Sequence, residues 1–101
     1  MIVRFVQSGG FAGLVKGCEL DTRSLPQEKA KELEAMIESS SISTPGKFLS
    51  HSSRDLNQYE ITIKAGTSTI SAVFDDETIP RSAKPLIGYL KKCAKPEKPQ
   101  Q

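Results

Sequence analysis

The fold is decided near the start of the chain, by the stretch Ser8-Gly9-Gly10-Phe11-Ala12-Gly13. Its three glycines permit backbone angles that most side chains forbid, and an apolar run stands on each side of it. A glycine-rich connection between two apolar runs predicts a hairpin of antiparallel strands. We therefore expect strands over residues 1–7 and 14–20, joined by an exposed tip that carries Phe11.

A second hairpin is predicted in the other half of the chain. Apolar and polar residues alternate from Tyr59 to Lys64, and the alternation resumes over residues 68–75 after the turn Ala65-Gly66-Thr67. Alternation with a period of two is typical of strands that bury one face. The side chains expected to face the core are Tyr59, Ile61, Ile63, Ile70, Ala72 and Phe74.

Each hairpin is followed by an amphipathic helix. The first is predicted over residues 27–38, with Ser24 as its N-cap and Pro26 in its first turn. The second begins near Pro80 or Ser82 and ends in a lysine-rich turn that suits the helix dipole. Apolar residues recur every three or four positions in both; they are Ala30, Leu33, Met36 and Ile37, then Leu86, Ile87, Leu90 and Cys93.

This order of elements, β-β-α-β-β-α, predicts an α+β fold. Two hairpins would form one four-stranded antiparallel sheet, with both helices on one face. A length of 101 residues fits a single domain, which we place at residues 1–94, with residues 95–101 as a disordered tail. The long polar connection before Tyr59 is expected to be a loop anchored by its own apolar residues, which are Ile42, Phe48, Leu49 and Leu56.

Charge and hydrophobicity exclude several classes of protein. The net charge is +2, with 14 basic residues scattered among 12 acidic ones, so we expect no binding to nucleic acid or to a membrane. No apolar run approaches the roughly 20 residues that span a bilayer. Arg4 interrupts the apolar start, which lacks the cleavage site of a secretory signal. Cys18 and Cys93 suggest thiols in a reducing compartment, although a disulfide between them is left open. We expect a cytoplasmic monomer.

No group of residues indicates catalysis or a bound metal. Ser50, His51 and Asp55 could be written as a triad, but residues so close in sequence seldom converge in that geometry. A zinc site built from His51, Cys18 and Cys93 lacks the usual spacing and a fourth ligand. We therefore expect no enzyme activity, no cofactor and no metal.

Two further motifs have simple structural interpretations. Asp75-Asp76-Glu77 places three acids side by side, whereas a calcium loop spreads its ligands over about twelve residues. We interpret it as a solvated loop before a helix. The glycines of the first hairpin are followed by a strand and by no Gly-Lys-Ser/Thr, so they do not indicate a phosphate-binding loop. What remains is a scaffold that presents an aromatic residue, which is typical of a binding protein.

Several stretches, taken in order, resemble emfourin-like proteins. The most specific is Val6-Gln7-Ser8-Gly9-Gly10-Phe11-Ala12-Gly13. The others are Glu19-Leu20-Asp21-Thr22, Leu25-Pro26, Ala30-Lys31-Glu32-Leu33-Glu34-Ala35, Gln58-Tyr59-Glu60-Ile61-Thr62-Ile63, Ile79-Pro80 and Lys84-Pro85-Leu86-Ile87-Gly88-Tyr89-Leu90. The resemblance covers residues 1 to about 92 and is poor over residues 39–57.

Emfourin-like proteins are bacterial inhibitors of thermolysin-like zinc metalloproteases, including protealysin. The resemblance therefore implies an inhibitor that forms a 1:1 complex with such a protease. The alternative is a protein-interaction or regulatory module whose partner is not a protease.

The resemblance makes the first hairpin tip the candidate protease-binding loop. Its residues are Ser8, Gly9, Gly10, Phe11, Ala12 and Gly13. Thermolysin-like proteases cut before bulky apolar residues, so Phe11 after a glycine suits substrate-like insertion into the cleft. Alternatively, Phe11 packs back on the sheet and the glycines only shape the turn. In that case a secondary surface, Asp21, Thr22 and Arg23 or the turn at Gly66, would make the contact.

Overall fold

The computed structural model describes residues 1–9, 15–51 and 56–97. Within them it contains two α-helices and one sheet, which confirms the predicted α+β class. The strands are β1 (Ile2–Ser8), β2 (Val15–Asp21), β3 (Gly46–Phe48), β4 (Gln58–Ala65), β5 (Ser68–Asp75) and β6 (Lys95–Glu97). The helices are α1 (Gln27–Ser39) and α2 (Lys84–Cys93), and short 3-10 turns precede them at Thr22–Ser24 and Arg81–Ala83.

Strand β1 lies in the interior of the sheet, whose order is β3-β5-β4-β1-β2-β6. Both of its neighbours are antiparallel: Val3 is opposite Leu20 of β2 on one side and Ile63 of β4 on the other. The two predicted hairpins are therefore joined through β1 and β4. As a result, the connection between β1 and β2 leaves from the middle of the sheet.

Two short edge strands make the sheet six-stranded, so the predicted four-stranded antiparallel sheet and its element order are wrong. Strand β3 lies parallel to β5 at one edge, and β6 lies antiparallel to β2 at the other. Each has three residues, too few for a recognisable alternation. Strand β6 also falls within the segment predicted as a disordered tail; residues 98–101 of that segment lie outside the described residues.

Both helices cover one face of the sheet, as predicted. The inward side chains of β1, β4 and β5 form a single cluster with Leu33 of α1 and with Leu86, Ile87 and Leu90 of α2. Removing each such side chain from water contributes roughly 1.5–3 kcal/mol. Among the described helices, none has the length and apolar character required to cross a membrane.

The first helix begins at Gln27, as predicted, but the predicted N-cap is wrong. Ser24 belongs to the 3-10 turn, and the residue before α1 is Pro26, whose side chain makes no capping hydrogen bond. The cause is steric, because a proline disfavours the helical conformation in the residue that precedes it. Leu25 accordingly has an extended backbone, with ψ of 152°. Pro26 itself has a ψ of 145°, which is not helical, and the helix starts at the next residue. The second helix begins at Lys84, later than the predicted start near Pro80 or Ser82.

The connection between α1 and β4 is anchored only in part by its apolar residues. Ile42 is buried and Leu56 is half-buried, whereas Phe48 and Leu49 are exposed. Phe48 nevertheless stacks on Phe74 of β5, with 5.3 Å between ring centroids.

Candidate functional site

The hairpin tip leaves the sheet at Ser8 and Gly9. Ser8 pairs with Gln58 of β4, and residues 10–13 lie outside the described part of the chain. Gly9 has a φ of +104°, in the region that favours glycine. A Cβ atom added there would lie 2.7 Å from the carbonyl oxygen of Leu56. The base of the tip therefore packs directly against the last residues of the connection before β4.

Asp76 fixes the same end of that connection. Its Oδ2 accepts a hydrogen bond from the backbone N–H of Asn57 at 2.9 Å, and its Oδ1 accepts one from the hydroxyl of Tyr59. Burial raises the pKa of Tyr59, and the hydrogen bond to the Asp76 carboxylate raises it further. The phenol therefore remains protonated and continues to donate to Asp76.

Asp75 fixes the middle of the connection, at Ser50. Its side chain is 0 % exposed, and Oδ2 accepts hydrogen bonds from the Ser50 backbone N–H at 2.6 Å and hydroxyl at 2.7 Å. Oδ1 accepts from the N–H groups of Glu77 at 2.8 Å and Thr78 at 3.0 Å. The interpretation of the acidic triplet as a solvated loop is therefore wrong for Asp75.

The Asp75 carboxylate is expected to make the folding stability depend on pH in the acidic range. Burial alone would raise its pKa, but hydrogen bonds from Ser50, Glu77 and Thr78 together lower it from 3.8 to about 2. Between about pH 2 and pH 4, the folded state therefore binds fewer protons than the unfolded state. The contribution of Asp75 is complete above about pH 4 and is lost as the pH falls through about 2. Asp75→Asn should lower the Tm on the order of 10 °C at pH 7 and less at pH 2, as measured by thermal unfolding followed by circular dichroism.

Asp21→Asn is the matched control for that experiment. A hydrogen bond from the Arg23 side chain lowers the pKa of Asp21 to about 2 as well. However, Asp21 and Arg23 form an exposed pair, 2.8 Å apart, and such pairs contribute little to stability. Equal losses of Tm in the two variants at pH 7 would contradict a structural role for Asp75.

The secondary candidate surface lies at the opposite end of β1 and β2. Asp21 is opposite Ile2, at a distance of roughly 20 Å along the strands from Ser8. Thr22 is buried; its backbone N–H donates to the Met1 carbonyl at 2.9 Å, and the terminal amine donates to its hydroxyl at 3.2 Å. The structure therefore does not bring the two predicted contact regions together.

The turn between β4 and β5 lies at this second end too. Lys64 is opposite Ile2, and Ala65 is opposite Ser68, which leaves a two-residue loop. Gly66 opens that loop with a φ of +61°, as a type II′ turn requires. The two hypotheses for the contact, the tip or the secondary surface, thus concern opposite ends of the sheet and can be separated by mutation.

Comparison with protein families decides the assignment. The family model described as Emfourin matches residues 5–91. The chain belongs to the Emfourin family. The match runs from β1 into α2, so it includes the tip, the connection and both aspartates that fix the connection. Comparisons with curated proteins and with solved structures gave no match. Emfourin is a family of protease inhibitors, and membership implies a protease as partner.

The other groups considered in the sequence are arranged differently in this Emfourin family member. The hydroxyl of Ser50 donates to Asp75, and Asp55 lies outside the described residues. Cys18 donates from Sγ to the carbonyl of Leu90 at 3.8 Å, and both cysteines are thiols. Over the described ranges, no three His, Cys, Asp or Glu side chains are placed to hold a metal ion.

Sequence reasoning missed the roles of Asp75 and Asp76 in this Emfourin fold. One signal was present, namely the spacing Asp75-x-x-Thr78. The backbone N–H of Asp75 donates to Thr78 Oγ1 at 2.9 Å while the N–H of Thr78 donates to Asp75 Oδ1. This reciprocal pattern resembles a capping box, and it indicates an ordered turn instead of a solvated loop.

Proposed function

We propose that this chain inhibits thermolysin-like zinc metalloproteases by filling the active-site cleft with the tip, residues 8–13. Family membership supports the inhibitory role. The observation that supports the tip as the binding loop is the way its base is held. Gly9 continues from an interior strand and packs on Leu56, while Asp76 holds the adjacent Asn57.

Because the first residues of the tip are held by the sheet, the tip should bind tightly. A loop that is ordered only on association loses conformational entropy, which reduces affinity. Here β1 is paired on both sides up to Gln7, so the start of the tip has little freedom left to lose. Phe11 would occupy the pocket that receives bulky apolar residues, and Gly10 before it would allow close approach to a narrow cleft.

The inhibitor need not bind the zinc ion of the protease. No cysteine or histidine occurs in the tip, so a thiolate or imidazole ligand from this loop is ruled out by its composition. Steric exclusion of substrate, or a backbone carbonyl directed at the metal, would be sufficient. Binding of this kind is reversible, with one inhibitor for each protease molecule.

The proposed partner is a protealysin-type enzyme made by the same bacterial cell. A cytoplasmic inhibitor would protect the cell from premature activity of that enzyme. The inhibitor would act as a monomer, with every contact to the protease supplied by one chain.

Titration of a purified thermolysin-like protease tests the proposal. With a small peptide substrate, activity should fall in proportion to added inhibitor at nanomolar concentrations and reach zero near a 1:1 ratio. The inhibitor should remain intact on a denaturing gel. A serine protease assayed in parallel should keep its activity. Unchanged metalloprotease activity, or progressive degradation of the inhibitor, would contradict the proposed function.

A further inference from the structure

Two consecutive residues at the end of β3 have large, exposed apolar side chains. Phe48 is 40 % exposed and Leu49 is 38 % exposed, and no other large apolar side chain of the described residues is so accessible. We call this pair the shoulder. Phe48 lines a pocket on the helix-covered face together with Ile42 and Phe74, whereas Leu49 lines a groove on the open face, so the shoulder presents apolar surface on both sides of this sheet edge.

The shoulder is continuous with the base of the tip. Leu49 lines a groove on the open face of the sheet, and the same groove is lined by Ser8 and Val6 of β1 and by Gln58 of β4. Ser8 is also the first residue of the tip. A protein that engaged the tip would therefore meet Leu49 next along the surface.

The shoulder is held in place by the fold. Phe48 stacks on Phe74 with the ring planes 15° apart. Directly after Leu49, the backbone and hydroxyl of Ser50 are bound to the buried carboxylate of Asp75. Both residues that flank Leu49 are thus held, so a partner that binds there would order little additional main chain.

The tip alone is too small for a tight protein complex. A specific interface buries about 800 Å² and some 20–30 residues on each partner, whereas the tip has six residues. Interface centres are enriched in aromatic and apolar side chains. Among the described surfaces that border the tip, the shoulder has this character.

From these observations we infer that the shoulder is a second contact with the same protease, against the surface beside its cleft. This inference rests on the proposed function. Substitution of Leu49 should then weaken the complex without unfolding the inhibitor, because the side chain contributes little to the core.

The test compares Leu49→Ala with the wild type in the same protease titration. The inhibition constant should rise about tenfold, mainly through faster dissociation, while the Tm changes by no more than a few degrees. Leu49→Met should restore most of the affinity because it conserves apolar volume. Thr69→Ala is the matched control, since Thr69 is exposed on the same sheet face, beside Lys64 at the far end.

Each outcome separates this inference from the proposed function. If the wild type inhibits and Leu49→Ala inhibits equally well, the shoulder contact is wrong and the tip contact is unaffected. Equal weakening by Thr69→Ala would also overturn it, because the effect would not be local. If the wild type does not inhibit, the proposed function fails and the shoulder contact fails with it.

Discussion

Gly9→Ala is expected to lower the Tm on the order of 10 °C and to weaken protease inhibition at least about tenfold. The added methyl group would stand 2.7 Å from the carbonyl oxygen of Leu56, a separation that Cβ atoms essentially never adopt. The φ of +104° would in addition strain any residue with a side chain. Because Asp76 restrains the next residue, Asn57, the clash would be relieved chiefly by movement of the tip. Thermal unfolding and the protease titration measure the two effects.

Gly66→Ala provides the matched control. Gly66 also has a positive φ, of +61°, but a Cβ atom there would have no neighbour within 4 Å. It lies in the β4–β5 turn, at the end of the sheet remote from the tip. This variant should lose some stability through backbone strain and should inhibit as well as the wild type. If both variants inhibit equally, the position of the tip does not depend on its contact with Leu56.

Phe11→Ala is expected to weaken inhibition about 100-fold while the Tm changes little. Truncation of an aromatic anchor that fills a partner's pocket typically costs about 2–4 kcal/mol, which corresponds to roughly 30- to 1,000-fold in affinity. The stability should be preserved if Phe11 is directed at the protease, because it then contributes nothing to the core of the free inhibitor. The inhibition constant and the Tm of the purified variant measure both quantities.

The opposite pair of results for Phe11→Ala would favour the alternative position of the side chain, on the sheet. Unchanged inhibition together with a lower Tm would mean that Phe11 packs on the sheet and that the tip is not inserted. The half-buried Asp21 and the exposed Arg23, on either side of the buried Thr22, would then be the next residues to replace. Phe11→Leu serves as the control, since a bulky apolar side chain should retain most of the inhibition.

The strands and helices that form the core could be predicted because apolar residues recur along them at regular intervals. Tyr59, Ile61 and Ile63 alternate along β4, and all three are buried. The buried residues of α2 recur at the three- and four-residue spacing of a helix. Such patterns reflect burial on one face, which is a local property of the chain. The four inner strands and both helices were therefore predicted, although α2 begins after a 3-10 turn, at Lys84.

The edge strands depend on partners that are distant in sequence. Gly46-Lys47-Phe48 contains one large apolar residue, and Lys95-Pro96-Glu97 contains two charges and a proline. Neither segment favours a strand by composition. They become strands because β5 and β2 would otherwise leave an edge of unpaired backbone groups, and those groups form hydrogen bonds with the nearest extended chain.

Of the candidate site, only the tip could be predicted from the sequence. The glycines and Phe11 can be recognised from local sequence. The contact between Gly9 and Leu56 joins residues far apart in the chain, as does the hydrogen bond from Ser50 to Asp75. The shoulder could not be foreseen either, because Phe48 and Leu49 have the composition of core residues and were expected to anchor the connection.

The interior position of β1 has a consequence for an inhibitor that offers a protease a substrate-like loop. If the protease hydrolysed a peptide bond in the tip, the two new chain ends would belong to β1 and β2. These strands remain paired from Ile2 to Gln7, and β1 is paired with β4 as far as Ser8. Release of a cleavage product would require the sheet to come apart. A nicked inhibitor would therefore remain folded, with both new chain ends still attached to paired strands of one sheet.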